Sequence, residues 1–401
     1  LLSSEASLER LTISDSDGAW LILEDATLDW RRAALLTGAL EVEALTAERL
    51  IVHRPPLPAE GPELPPAEAT PFSLPDLPLS VEIGEISIET LELGQPVLGE
   101  AAELSVSGQA RLADGSGQAT LRMERLDGPR GTFRLEAAFD NETRVLDIDL
   151  LLDEAEGGLA AGILGMPGEP SLRLAVAGEG PLDDIEVALE LSTDGVERMT
   201  GTVSSTQIAE ADGQRIDVDV SGDISPLLAA EYQPFFGQST ELNARILRTA
   251  DGATRLEDMR LATAAFLLRG DVALDPEGRP VEIDIGGRIA NPDGSGHVRL
   301  PIPGVEAQLA SADINFDFDA SQGDSYQLSA QLNRLRTDDL SMASASLSGT
   351  GQIEPSATGI AAVTSDLTAE LSGLDHTDPA LGQALGSSLT LSTQASWSEG
   401  Q

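Results

Sequence analysis

The side chains with most chemical potential here are three histidines, 68 acidic residues and two Asp-Gly-Ser-Gly tetrapeptides; cysteine is absent. Without cysteine there are no disulfides, thiolate metal sites or sulfur nucleophiles. His53, His297 and His376 stand apart, none with a His, Asp or Glu at i+3 or i+4 as a helical zinc site requires. Asp15-Ser16-Asp17-Gly18 begins like a calcium loop, but Trp20 falls where a glycine is needed and Ala26 where a bidentate glutamate belongs. It reads as a turn before a strand. Asp114-Gly115-Ser116-Gly117 and Asp293-Gly294-Ser295-Gly296 lack nucleophile-elbow spacing and read as turns too. Gly178-Glu179-Gly180 has no third glycine at phosphate-loop spacing. Carboxylate pairs such as Asp147/Asp149 recur, whereas a glycosidase needs one pair in one cleft. The expectation is a protein without catalytic residues, metal or cofactor.

What must then be explained is the pattern that repeats. Successive runs alternate apolar and acidic residues: Leu146, Ile148 and Leu150; Ile216, Val218 and Val220; Val281, Ile283 and Ile285; Ile314, Phe316 and Phe318. Period two puts such residues on one face of a strand, whereas on a helix it scatters them. Longer alternations cover 133–139, 185–191 and 326–332. Turn signals stand between them at Asp114-Gly115, Asp140-Asn141, Asp194-Gly195, Asp212-Gly213, Asp251-Gly252, 275–278 and Asp293-Gly294. At roughly 14 residues per strand and connection, the chain holds about 25 strands. That is too many for one closed sandwich. The expected fold is all-β: a long, curled, solenoid-like sheet forming a β-groove, with an apolar concave face, an acidic outer face and a few short helices.

Three segments interrupt the pattern. Residues 55–78 hold nine of the 23 prolines, too many for a helix or central strand. The reading is a β repeat over 1–54, a Pro-rich crossover over 55–79 and a continuous groove array over 80–401. A short helix is expected near 226–236, with Ser225 as N-cap and Pro226 at its first position. A second is expected at 378–386, capped by Asp378 and stopped by Gly386.

Composition limits the partners. The formal charge is −44 with 24 basic residues, all arginine, so the expectation is repulsion of nucleic-acid phosphates and anionic lipid headgroups over the whole surface. With 41% apolar residues it has the means to fold. No apolar run reaches the roughly 18 residues of a membrane span, so an anchor is expected outside these residues. Only 13 residues are aromatic (8 Phe, 3 Trp, 2 Tyr), so a face of mid-sized Leu, Val and Ile leaves room for acyl chains. Each methylene buried there gains about 0.8 kcal/mol.

The stretch Asp17-Gly18-Ala19-Trp20-Leu21-Ile22-Leu23-Glu24-Asp25-Ala26-Thr27-Leu28-Asp29-Trp30, continuing to Arg54-Pro55-Pro56, resembles the amino-terminal repeat of the TamB family. Gly180-Pro181-Leu182-Asp183-Asp184-Ile185, Asp223-Ile224-Ser225-Pro226-Leu227-Leu228 and Asp378-Pro379-Ala380-Leu381 are similar to passages in its alphaproteobacterial members. These are inner-membrane subunits of the bacterial translocation and assembly module, within the AsmA-like group. The resemblance implies a periplasmic body anchored to the inner membrane by a segment outside this chain. It also implies an outer-membrane barrel partner of the TamA type, met through a region not in this chain. It further implies one of two roles: carrying phospholipids toward the outer membrane, or scaffolding the insertion of outer-membrane and autotransporter proteins. The apolar alternation favours phospholipid acyl chains in a groove. A scaffold pairing barrel strands by β-augmentation and a filled structural β-solenoid are the alternatives.

Overall fold

In a computed structural model of the chain, the alternating runs become strands. The structure describes residues 4–57, 73–75, 77, 79–208, 213–302, 304–356 and 359–398. Most of the Pro-rich segment, and Asp212 of one expected turn, lie outside them. The described residues form 24 strands, close to the number expected from turn spacing. The chain divides into two units, residues 1–200 and 201–401.

The first unit holds β1 (Glu5–Asp15), β2 (Gly18–Arg31), β3 (Ala39–Val52), β4 (Ser80–Leu93) and β5 (Ala102–Ala113). It continues through β6 (Ser116–Arg125), β7 (Gly131–Asp140), β8 (Val145–Glu154), β9 (Leu172–Pro181) and β10 (Asp184–Thr193). Between them lie one-turn helices, α1 (Gln95–Leu98) and α2 (Leu159–Ile163). Each strand pairs with its chain neighbour, and the pairs are antiparallel except β3–β4, which is parallel. A parallel pair needs a return crossover between its strands, and residues 53–79 lie between these two in the sequence. Two hairpins turn at Asp114-Gly115 and Asp194-Gly195, where φ is +51° and +76°, then +52° and +71°. Two successive left-handed residues match the twist of the flanking strands, and glycine takes that conformation without a Cβ clash.

A further strand, β11 (Val196–Ile208), runs across the division. The second unit contains β12 (Gly213–Gly222), β13 (Thr240–Arg248), β14 (Thr254–Ala262), β15 (Phe266–Leu274) and β16 (Pro280–Ala290). Two-residue strands β17 (Val298–Arg299) and β18 (Gln308–Leu309) follow, then β19 (Ser311–Asp319), β20 (Ser325–Arg336) and β21 (Leu340–Pro355). The last are β22 (Ile360–Ser372), β23 (Asp375–His376) and β24 (Ser388–Ser398). Neither unit closes: among the described residues β1 does not pack on β10, nor β12 on β24. The all-β, open, curled sheet expected from alternation is the fold observed.

The helix expected near 226–236 is broken in two. A 3-10 turn spans Ser225–Leu227 and a single α-turn, α3, spans Gln233–Phe236. Pro234 has no N–H to donate back, so a helix crossing it would lose a bond; instead the turn restarts with that proline in its first positions. Ser225 does not cap: its amide and hydroxyl both donate to the Asp223 carboxylate, at 3.0 and 2.5 Å. The second helix, α4 (Pro379–Leu385), forms as expected, with Asp378 accepting from the amides of Ala380 and Leu381 at 2.8 and 3.4 Å and Gly386 ending it at φ +69°.

Candidate functional site

Cross-strand register decides what each face presents, because residues directly opposite share a face. In the first unit one row runs Leu28, Leu45, Ile86, Gly108, Leu121, Leu135, Leu150, Val176, Leu189. The rows beside it are as apolar, and Leu146 and Ile148 belong to them. In the second unit Ile216 stands opposite Ile246, Val218 opposite Ala244 and Val220 opposite Leu242. Further along, Ile283, Ile285 and Gly287 meet Phe318, Phe316 and Ile314. Eleven of the twelve residues singled out by alternation thus stand on a continuous apolar face of their own unit. The twelfth, Val281, lies where the β15–β16 register shifts, has no opposite residue in β15 and is exposed.

Strict alternation overlooked β1 to β4. In β3 the face carries Leu40, Val42, Leu45, Ala47, Leu50 and Val52, spaced 2, 3, 2, 3, 2. β4 repeats the spacing with Val81, Ile83, Ile86, Ile88, Leu91 and Leu93, and the six pairs align in parallel register. Two bulges against β5 absorb the extra residues and keep one face apolar. That matched spacing was the available sequence signal.

The face is lined more than it is filled. Leu146, Ile148, Leu150, Ile216, Val218 and Val220 are all half-buried, and on β1 Leu8, Leu11 and Ile13 are exposed. Filling is local. In the second unit Phe318, Tyr326 and Ile353 are fully buried against Ile283, Phe316, Leu328, Ile360 and Val363, with the Phe316 and Tyr326 rings stacked at 5.1 Å. Phe235 of α3 packs on Ala265, Phe266, Ile289 and Val298, and backbone bonds from Ala264 and Ala265 to Phe236 and Phe235, both 3.0 Å, pin it there. It caps one end of the face.

The first unit keeps a cavity of about 330 Å³ on this face, within the ~300–1,000 Å³ range of ligand pockets. Ala110, Ala119 and Ala137 stand opposite one another on β5, β6 and β7, with Gly117 in the next row. Four small residues remove side-chain volume from the middle of the face. Val81, Leu112, Phe139 and Leu146 form walls, and Leu74 covers one side. Val81 and Leu146 are four strands apart, about 19 Å on a flat sheet, yet line one cavity. The sheet therefore curls toward its apolar side.

Leu74 is held in place by the β7–β8 turn. The Asn141 amide accepts from the Leu74 N–H at 2.8 Å and donates to its carbonyl at 3.0 Å. Asp140 organises that turn, accepting from the Thr143 amide and hydroxyl at 2.7 and 2.9 Å and from the Ser116 hydroxyl. Ser116 foremost, then Thr143, lower the Asp140 pKa to about 2. At the segment's other end Arg54 and the Leu57 amide both donate to the Asp15 carboxylate, at 2.8 and 3.0 Å. The Arg54 hydrogen bond, then that of Leu57, hold Asp15 well below the usual carboxylate range.

The opposite face is polar, and in the second unit a cavity on it is lined by Glu257, Asp258, Asp271, Glu282 and Asp284 beside Arg255. Asp217 is bridged by Arg245, which also reaches Asp258. His376 Nδ1 accepts from the Asp378 amide at 2.9 Å, beside the α4 cap. Among the described residues no three His, Asp or Glu side chains gather as a metal site, and no helix is long and apolar enough to cross a membrane. No family model, curated protein or solved structure matches the chain.

Proposed function

We propose that the apolar face is a groove for phospholipid acyl chains, and that the protein serves as the periplasmic body of a TamB-like carrier between the inner and outer membranes. The observation that carries this reading is the in-register apolar face, half-buried along its length and hollowed by the Ala110–Ala119–Ala137 lane. A filled solenoid would bury its Leu, Val and Ile; here few are fully buried among the described residues. An apolar surface of this extent in water is costly unless occupied. Acyl chains could slide along it because no polar contact fixes their register, while headgroups stay at the wet rim.

The test is native mass spectrometry with lipid extraction on the chain purified without detergent. Phospholipid should co-purify with the native chain, be lost with Val218→Glu and be retained with Asp219→Asn, whose side chain lies on the polar face. A folded, lipid-free native chain overturns the groove reading in favour of a scaffold.

A further inference from the structure

The polar face of the first unit contains an exception to the chain's acidity. A second cavity, of about 410 Å³, is lined by Arg122, Arg125, Arg130, Arg134 and Arg173, with Glu124 and Asp153 as its only acidic residues. Five of the chain's 24 basic residues meet at one place in a molecule of formal charge −44.

The pairing leaves positive charge uncompensated. Arg125 turns to Asp127 and Glu100, at 3.1 and 3.3 Å. Arg122 is held by Glu124, its Nε donating at 2.8 Å. Arg130 and Arg173 share a single carboxylate, Asp153, at 3.0 and 3.4 Å. Arg134 has no ion pair or side-chain hydrogen bond among the described residues, and its direct cross-strand neighbour is Arg122. Like charges placed directly opposite destabilise a sheet. Leaving Arg125 aside, four guanidinium groups face two carboxylates, an excess of two charges. A cavity on the polar face of the second unit is lined instead by one arginine and five carboxylates, and where that unit does set two arginines opposite one another, Arg260 and Arg269, Arg260 is bound by Glu241.

We propose that this cluster is a binding site for a phosphate-type oxyanion. Guanidinium forks on β6, β7 and β9 converge on one cavity, and their planar geometry suits bidentate recognition of phosphate oxygens. A phosphate monoester carries about −1.5 to −2 charges at neutral pH, matching the excess. Bound there, the anion would supply the counter-charge that Arg134 lacks and relieve its repulsion with Arg122. The same chemistry serves a soluble phosphate compound and an anionic lipid headgroup.

Two measurements on the full 401-residue chain test this and separate the sources. Inorganic phosphate is titrated calorimetrically at constant ionic strength, and co-sedimentation is measured with phosphatidylglycerol vesicles against phosphatidylcholine vesicles. Arg134→Gln should weaken binding about tenfold or more, Arg134→Lys should restore part of it, and Arg245→Gln in the second unit should change nothing. Without anion, Arg134→Gln should melt no lower than the native chain, because it removes a like-charge contact. Phosphate binding alone identifies a soluble ligand, and selective phosphatidylglycerol binding alone identifies a headgroup; either supports the site. Absence of both overturns it. So does binding that Arg134→Gln leaves intact, or that Arg245→Gln weakens equally, which would be charge screening.

Discussion

Asn141 binds Leu74 through both halves of its side-chain amide, accepting from the N–H at 2.8 Å and donating to the C=O at 3.0 Å. An amide side chain thus takes the part of a neighbouring strand for one residue, 67 positions away in the chain. Gly117 completes the arrangement: a Cβ there would lie 2.7 Å from the Leu74 Cδ1. The consequence is a leucine seated over the hollow in the apolar face of the first unit.

Releasing that leucine should open the cavity. Asn141→Ala should cost about 1–2 kcal/mol, the worth of two partly buried hydrogen bonds. Together with Leu74→Ala it should raise the binding of a fluorescent fatty acid to the chain. Unchanged binding in both variants would show that Leu74 guards nothing.

Filling the hollow should do the reverse. Ala119→Leu places a branched side chain between Ala110 and Ala137. Bound fatty acid should fall severalfold while the melting temperature moves little, because the added methyl groups enter free space rather than a packed core. Equal binding with a folded Ala119→Leu would remove this cavity from the lipid path.

The turn that presents Asn141 should loosen in acid. Asp140 is unprotonated in the folded chain down to about pH 2, whereas an unfolded chain binds that proton near pH 3.8. Its contribution is therefore complete above pH 3.8, declines as pH falls toward about 2 and is absent below both values. Asp140→Asn should lower stability at neutral pH and flatten this acid limb in denaturant titrations from pH 5 to 2. An acid limb of unaltered steepness in the variant would contradict the assignment.

Two glycines on β21 and β16 should respond oppositely to a methyl group. At Gly351 a Cβ would meet the Thr364 carbonyl oxygen at 1.8 Å and the Tyr326 ring at 2.6 Å. At Gly286 its nearest neighbour is 3.5 Å away. Gly351→Ala should destabilise by about 1–3 kcal/mol, and Gly286→Ala should stay within about 0.5 kcal/mol, both read by denaturant unfolding.

How much of this was legible beforehand follows from the range of each interaction. Leu146, Ile148 and Leu150 declare a strand because period two is a local property of the backbone, and Asp114-Gly115 and Asp194-Gly195 declare hairpins because their φ values are local too. Asp378 and Gly386 mark α4 for the same reason. Strand number, all-β class and the two-faced character of the strictly alternating strands therefore needed no tertiary information. The helix at 226–236 misled because Ser225 and Pro226 are good starting signals, while Pro234 and the docking of Phe235 on Phe266 and Val298 decide the outcome.

Register is what the linear chain could not supply. Only pairing shows that Leu45 meets Ile86 in parallel, that three alanines share one lane and that Arg122 faces Arg134. Each depends on residues brought opposite one another across strands, and a slip of one position would send every side chain to the other face. Alternation determined that there would be an apolar face and a charged face; cross-strand alignment decided where the first is hollow and where the second is basic.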